Sequence, residues 1–372
     1  MPKKFIPPQT DTATRTASTP IQGEIFYDTD ENQLYYGNGA TQGGKTLQGT
    51  LSSTQEVTFI ETTEPTTPSA NNLVLYVDSA DGALKQKNDA GTVTVVGSGS
   101  GGGREVLTAD RTYYVRTDGS DSNDGLTDSA GGAFLTIQKA IDVVASLDVS
   151  IFTVTIKIAD GTYNLSSTIN LKKYIGKKIV IEGNTTTPEN VVIEGGTNGV
   201  ISAKGLAGSV YLIRGVKLQS TTTNTIYKFC IECSASILEL ESIDFGTVVY
   251  STTGFHIWCK QGGLVKIVGN YSISGNAAIH INAEVDGTID FRETGNLITV
   301  SLVGTRAFNL FAYCSMGSVI NSYASSELAF SGSATGTRYN CLLNSVINTN
   351  GGGANFFPGN GAGGVSLGGQ YN

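Results

Sequence analysis

Apolar and polar residues alternate in short runs over most of this chain, and the period changes only once. At Ile137, Ala140, Ile141 and Val144 the apolar positions fall at i, i+3, i+4 and i+7, one stripe of an amphipathic helix. Thr136 stands where its hydroxyl can cap that helix. The stretch before it, "DGSDSNDGLTDSAGG" from Asp118, is small, polar and acidic and reads as turns. Elsewhere the period is two, the period of a half-buried strand.

In residues 1–103 two runs match each other: "EIFYDTDENQLYYGNGA" from Glu24, and "LVLYVDSADGALKQKNDAG" after Asn71-Asn72. Each has an apolar strand with a Tyr, an Asp-rich turn and a second strand carrying a Leu, and so reads as a β-hairpin. An isolated hairpin is marginal in water, so identical chains around a symmetry axis are expected to supply the missing partners. The flanking Thr/Pro/Ser-rich segments "TDTATRTASTP" and "ETTEPTTPSA" read as extended linkers, and no helix is expected before residue 104. "GSGSGGG", Gly97 to Gly103, marks the boundary.

Beyond it the chain repeats loosely. "FCIECSASILELESIDF" from Phe229 aligns with "FHIWCKQGGLVKIVGNYSI" from Phe255, then with runs from Ala278, Phe308 and Tyr339. The central apolar residues are Ile231, Ile257, Ile281, Leu310 and Cys341, at spacings of 26, 24, 29 and 31. Short alternating strands recurring at such a period are what a parallel β-helix requires, because one coil cannot bury its inner face alone. About seven coils at ~4.8 Å each would make a rod on the order of 30 Å long. Cys233, Cys259, Ala283 and Ala312 are expected to line one corner. The single helix has a reason in this scheme: a stack of coils has open ends with unpaired backbone, and an amphipathic helix before the first coil covers one of them. The expected fold is therefore mostly β. A single-stranded right-handed parallel β-helix over 151–348 follows a lead-in segment with its capping helix at 104–150. An N-terminal hairpin region, 1–103, precedes them and a Gly-rich irregular tail, 349–372, follows.

Composition narrows the function. The chain has 24 basic and 32 acidic residues, a net charge of −8, with the basic ones scattered, which argues against nucleic acid. No apolar run follows Met1-Pro2-Lys3-Lys4 and none is long enough to span a bilayer, so neither a signal peptide nor membrane insertion is expected, and folding in a cytoplasm is. The five cysteines are odd in number and Cys230-x-x-Cys233 stands alone; they read as small buried thiols. No cofactor is implied: "GNGAGG" at Gly359 to Gly364 follows no strand and opens no helix. The Asp118–Asp124 turn lacks the spacing and the distal Glu of a calcium loop, so no metal site is assigned and its occupancy is left open.

"YYVRTDGSDSNDGLTDSAGGAFLTIQKAID" resembles the lead-in of pectate-lyase-like right-handed β-helices, above all those of bacteriophage tail fibres and tailspikes. The "GEIFYDTDENQLYYGNG" hairpin resembles repeats in the N-terminal parts of phage tail fibres, and "NSVINTNGGGANFFPGNGAGGVSLGGQYN" is similar to the endings of phage adhesins. The resemblance touches all three segments. It implies a homotrimeric structural component of a virion tail, made in the host cytoplasm, joined to other tail or baseplate proteins through 1–103, and binding a host-surface polysaccharide or other receptor.

Candidate chemistry lies on the outward positions. With Phe229, Ile231 and Cys233 pointing in, the register gives two outward rows: Cys230, His256, His280, Asn309, Asn340, and Glu232, Trp258, Asn282, Phe311, Leu342. The second row carries the chain's one Trp beside Phe311 and Leu342, which a free surface does not favour. His256, Trp258, His280, Asn282, Asn309 and Phe311 are therefore candidates, either as a trimer interface, the preferred reading, or as a sugar platform with His and Asn donors. Paired histidines as metal ligands rank third. The alternative function is a polysaccharide depolymerase. It needs two carboxylates across a sugar bond, or a Lys/Arg base with calcium. Glu239, Glu241, Asp244, Glu284, Asp286, Asp290 and Glu293 are outward acids, and no catalytic pair emerges among them. Glu239, Lys266 and Asp290 are expected to stack in one row, as a salt ladder would.

Overall fold

The computed structural model describes residues 9–372 except 20–24, 38, 43, 47–49, 52–56, 59–60, 97–103, 198, 207, 223–227, 250–252, 292–296 and 323–327. The chain divides into two compact units, 1–103 and 104–372; the Gly97–Gly103 boundary run itself lies outside the described residues.

In the first unit both hairpins form. Ile25–Asp28 pairs antiparallel with Gln33–Tyr36, and Leu73–Asp78 with Leu84–Asn88. Each belongs to a four-stranded sheet built on one plan. A two-residue strand runs parallel to the hairpin's first strand (Gln9–Thr10 or Glu61–Thr62), and a later strand runs antiparallel to its second (Lys45–Thr46 or Val93–Val95). Thr10 faces Asp28 as Thr62 faces Asp78, so the two copies are related by about fifty residues. Each hairpin thus finds its neighbours in its own chain, which removes the argument that partner chains must supply them.

One segment departs from expectation. Thr12–Thr16, read as extended linker, is a one-turn helix, α1, capped by Asp11, whose carboxylate accepts from the Thr14 N–H at 2.6 Å. It delivers Arg15, with its Nε 2.5 Å from Asp28 and its guanidinium 3.8 Å above the Tyr35 ring. Burial would raise the Asp28 carboxyl. Its bonds from the Glu31 N–H, Arg15, Thr12 and the Asp30 N–H outweigh that and bring it down to about 2. The second copy neutralises the matching Asp78 differently, with Lys85 from the hairpin itself at 2.8 Å.

The second unit is a right-handed parallel β-solenoid of about seven turns. Three ladders run along it. The first stacks Val154, Ile179, Tyr211, Leu238 and Val265 and continues to Tyr371. The second stacks Tyr163, Ile193, Leu218, Phe245 and Ile273. The third stacks Ile169, Ile201, Ile231, Ile257 and Ile281, then Ala312 and Tyr339. These residues are almost all buried, and they form one continuous apolar column. The small-residue row is Cys233, Cys259, Ala283, Cys314 and Cys341, so its fourth member is Cys314 where Ala312 was expected. All five cysteines are buried and unbridged.

Both ends are covered. At the front, helix α2 (Ile137–Ala145) buries Ile137, Ala140, Ile141, Val144 and Ala145 over the first coil. The acidic turns cover the backbone edge: Tyr114 N–H donates to the Gly125 carbonyl, and the Phe134 N–H to that of Tyr114. Gly125, at φ +77°, lies under the Phe134 ring, where a Cβ would come within 2.2 Å of it. Asp121 accepts from the Leu135 and Thr136 N–H groups and the Thr136 hydroxyl, and Thr136 in turn caps α2 by accepting from the Lys139 N–H at 3.2 Å. Thr136→Ala should lower stability by about 1 kcal/mol, read as a lower midpoint in thermal melts; an unchanged midpoint would show that the cap carries no weight.

At the far end the Gly-rich tail is not irregular. Gly364–Ser366 pairs in parallel with the strand at Asn340–Leu342, and Gln370–Tyr371 with Val346 and Ile347, adding a further rung. Phe357 is fully buried against Phe311 and Phe330, and Tyr371 stacks on Tyr339 at 3.8 Å.

Candidate functional site

The outward row survives in part. Ile257 is fully buried, and Trp258, next to it, points the other way and is half-buried. The row through it reads Ser202, Glu232, Trp258, Asn282, Tyr313 and Asn340. Phe311 and Leu342 do not belong to it. Ile281 pairs with Ala312, not Leu310, because the strand Ile298–Ser315 carries extra residues and its ladder shifts register. Phe311 therefore points inward and is 1% exposed, while Leu342 faces Ser366.

The other expected outward row is a larger correction. Cys230, His256 and His280 are fully buried in the column. Phe229 and Phe255, expected inside, lie against the outward Trp258 at ring distances of 6.0 and 5.1 Å. Strict alternation fails here because the coil turns a corner. Cys230 and Ile231 both face in, as do His256 and Ile257, and the pairing skips one residue at that point. Asn309 stays exposed, its N–H donating to the Ala278 carbonyl. Asn282 is 2% exposed, and its Oδ1 has no hydrogen-bond partner.

Inside the column the two imidazoles form a chain whose protons follow from its ends. The Gly246 carbonyl can only accept, so His256 Nε2, 2.9 Å away, carries a proton. His256 Nδ1 then accepts from His280 Nδ1–H at 2.9 Å, and His280 Nε2 accepts from the Tyr271 hydroxyl at 2.9 Å. Both rings are neutral, and every ring nitrogen has a partner. Burial drives His256 down to about 3, and burial together with the neighbouring His256 drives His280 well below the usual histidine range. The chain is a satisfied core network and touches no surface.

The outward surface around Trp258 is a groove of about 410 Å³, lined by Thr168, Asn170, Ser202, Lys204, Phe229, Glu232, Trp258 and Lys260 among others. Four consecutive rungs contribute to it. At its centre Glu232, 2% exposed, accepts from Ser202 Oγ at 2.8 Å, Lys204 Nζ at 2.9 Å and Lys260 Nζ at 3.0 Å. Burial would raise its carboxyl, but these three bonds hold it below the usual range, so it is ionised. Trp258 Nε1 donates to Glu284 at 2.8 Å, and the Lys260 ammonium stands 3.2 Å over the indole. Lys204 and Lys260 lie one outward position beyond the row of Glu232 and Trp258. The same period-two spacing from Glu232 and Trp258 would have found Ser234 and Lys260.

For glycoside hydrolysis the groove is poorly equipped. A glycosidase keeps one carboxyl protonated by raising it, and the shifted carboxyls among the described residues all go down. Asp244 is tied to Ser272, Ser274 and Lys217. Glu239, Lys266 and Asp290 stack in one row as expected, and Glu293 lies outside the described residues. In the acidic turn Asp118 pairs with Arg116 and Asp121 with the helix start. No group of three or more His, Cys, Asp or Glu among the described residues could hold a metal ion, and no helix among them is long and apolar enough to cross a membrane. Comparison with known proteins yields no matching family model, no matching curated protein and no matching solved structure.

Proposed function

We propose that this chain is a fibre or short tailspike of a bacteriophage tail, held to the virion by residues 1–103, whose solenoid binds a host-surface glycan in the Trp258 groove. The observation that carries the reading is the groove itself. An indole flanked by Phe229 and Phe255, beside an ionised Glu232 and two lysines, combines an aromatic wall with the hydroxyl-binding groups that orient a sugar. The virion context and the trimer rest on the resemblance of the lead-in segment, the hairpins and the C-terminal run to phage adhesins. Binding is favoured over glycoside hydrolysis by the downward-shifted carboxyls.

The trimer-interface reading of Trp258 loses its main support, since Phe311 points inward and Leu342 faces Ser366, which leaves Trp258 without the apolar row. Trp258→Asp separates the two readings. Sedimentation should still give three times the 38.9 kDa chain mass, while binding to host cells falls at least roughly tenfold, the loss of a central aromatic contact. A variant that dissociates instead returns Trp258 to the interface. Release of new reducing ends from host glycans would establish the depolymerase.

A further inference from the structure

We propose that the groove selects acidic saccharides, because Lys260 holds the indole face until a ligand carboxylate draws it away. The inference rests on the glycan reading and names its substrate class. Lys260 Nζ stands 3.2 Å over the Trp258 ring and 3.0 Å from Glu232. A neutral sugar stacking on that face must displace a cation from a π surface and offers it only neutral hydroxyl acceptors in return. A uronic acid offers a carboxylate, and a charge-assisted bond to it replaces the one Lys260 leaves. Glu232 tolerates the exchange, since Lys204 and Ser202 stay bound to it. Lys204, 62% exposed, is placed to meet a second acidic group. With Glu284 on the indole nitrogen, two lysines balance two glutamates here, so the groove is near neutral on a chain of net charge −8. Its four rungs span about 14 Å at ~4.8 Å per rung, room for a short oligosaccharide along the axis.

Trp258 is the chain's single tryptophan, so its fluorescence reports on this groove alone. Wild-type protein is titrated with a short oligogalacturonate, with a maltooligosaccharide of equal length, and with acetate at matched carboxylate concentration. The oligogalacturonate should shift the emission, and the other two should not. Lys260→Ala should reverse the preference: affinity for the oligogalacturonate falls by roughly tenfold or more, the value of one charge-assisted contact, and the maltooligosaccharide begins to bind. If that variant fails to fold, Lys204→Ala should weaken the acidic ligand without admitting the neutral one. A maltooligosaccharide that binds wild type as well as the oligogalacturonate does overturns the selectivity and leaves the glycan reading standing. Acetate producing the same shift would also overturn the proposal, since no ring is then involved. Silence from both saccharides in wild type and variant overturns the groove as a glycan site altogether.

Discussion

Lowering the pH from 6.5 to 4.5 should cost the solenoid about 2–3 kcal/mol through His256, at about 1.4 kcal/mol per pH unit below its unfolded value of ~6.5, with a further loss in the same direction through His280. Their folded values are depressed, His256 to about 3 and His280 well below the usual range. The unfolded chain therefore binds two protons that the folded chain refuses. Stability is complete above ~6.5 and is lost as the pH falls toward the folded values. Burial is the main cause, and the chain adds to it: a proton on His256 Nδ1 meets the His280 Nδ1–H unless His280 moves that hydrogen to its other nitrogen. Glu232 and Glu182, whose folded values are depressed below the ordinary carboxylate range, lose their contribution only at lower pH, so the window from 6.5 to 4.5 belongs to the imidazoles. Denaturant melts across that window should show the decline, and the double variant His256→Leu, His280→Leu should be less stable at pH 7 but flat. A flat wild-type profile would mean that the pair is not buried as a neutral chain.

Phe357→Ala should remove about 3–5 kcal/mol from the far end, the usual cost of emptying a fully buried phenyl site. The ring is 0% exposed, within 5.9 Å of Phe311 and Phe330 and 6.5 Å of Tyr371 by centroid. Because a solenoid's coils contact only their neighbours, the loss should be local. Amide exchange should quicken at Gly364–Ser366 and Gln370–Tyr371, and leave the rungs around Val154 protected. Unchanged protection at the C-terminal rung would show that the tail holds itself in place without its plug.

The fold was legible because its signals are local and repeated. The i, i+3, i+4, i+7 stripe at Ile137 placed α2, and the recurring Ile231, Ile257 and Ile281 placed the third ladder. What failed was the assumption that period two continues around a coil. It holds from Ile257 to Trp258, and breaks where His256 and Ile257 both face in, since a strand that turns a corner must present two successive residues to the inside. That one break misplaced both histidines and both phenylalanines of the site. Phe311 was lost for a different reason: extra residues inside the strand Ile298–Ser315 moved the register by two, which no gap-free alignment could see. The tail was misread from its glycines. Gly363 lies beneath the Tyr339 ring, where a Cβ would come within 2.1 Å, so here glycine serves close packing in an ordered rung.

The outer surface of the first ladder carries one more message. Lys157, Glu182, Arg214 and Glu241 follow one another in register, with ion pairs from each to the next. Each pair alone is worth little in water, but the alternation works as a parity code. A strand that skipped one rung during folding would still meet an apolar inner face, since the ladder is aliphatic there apart from Tyr211. It would also set Lys157 against Arg214, or Glu182 against Glu241, and like charges directly opposite are destabilising. A slip of two rungs would restore opposite signs. The column therefore penalises odd errors and forgives even ones: removing one whole coil should produce a protein that misfolds more readily than one lacking two.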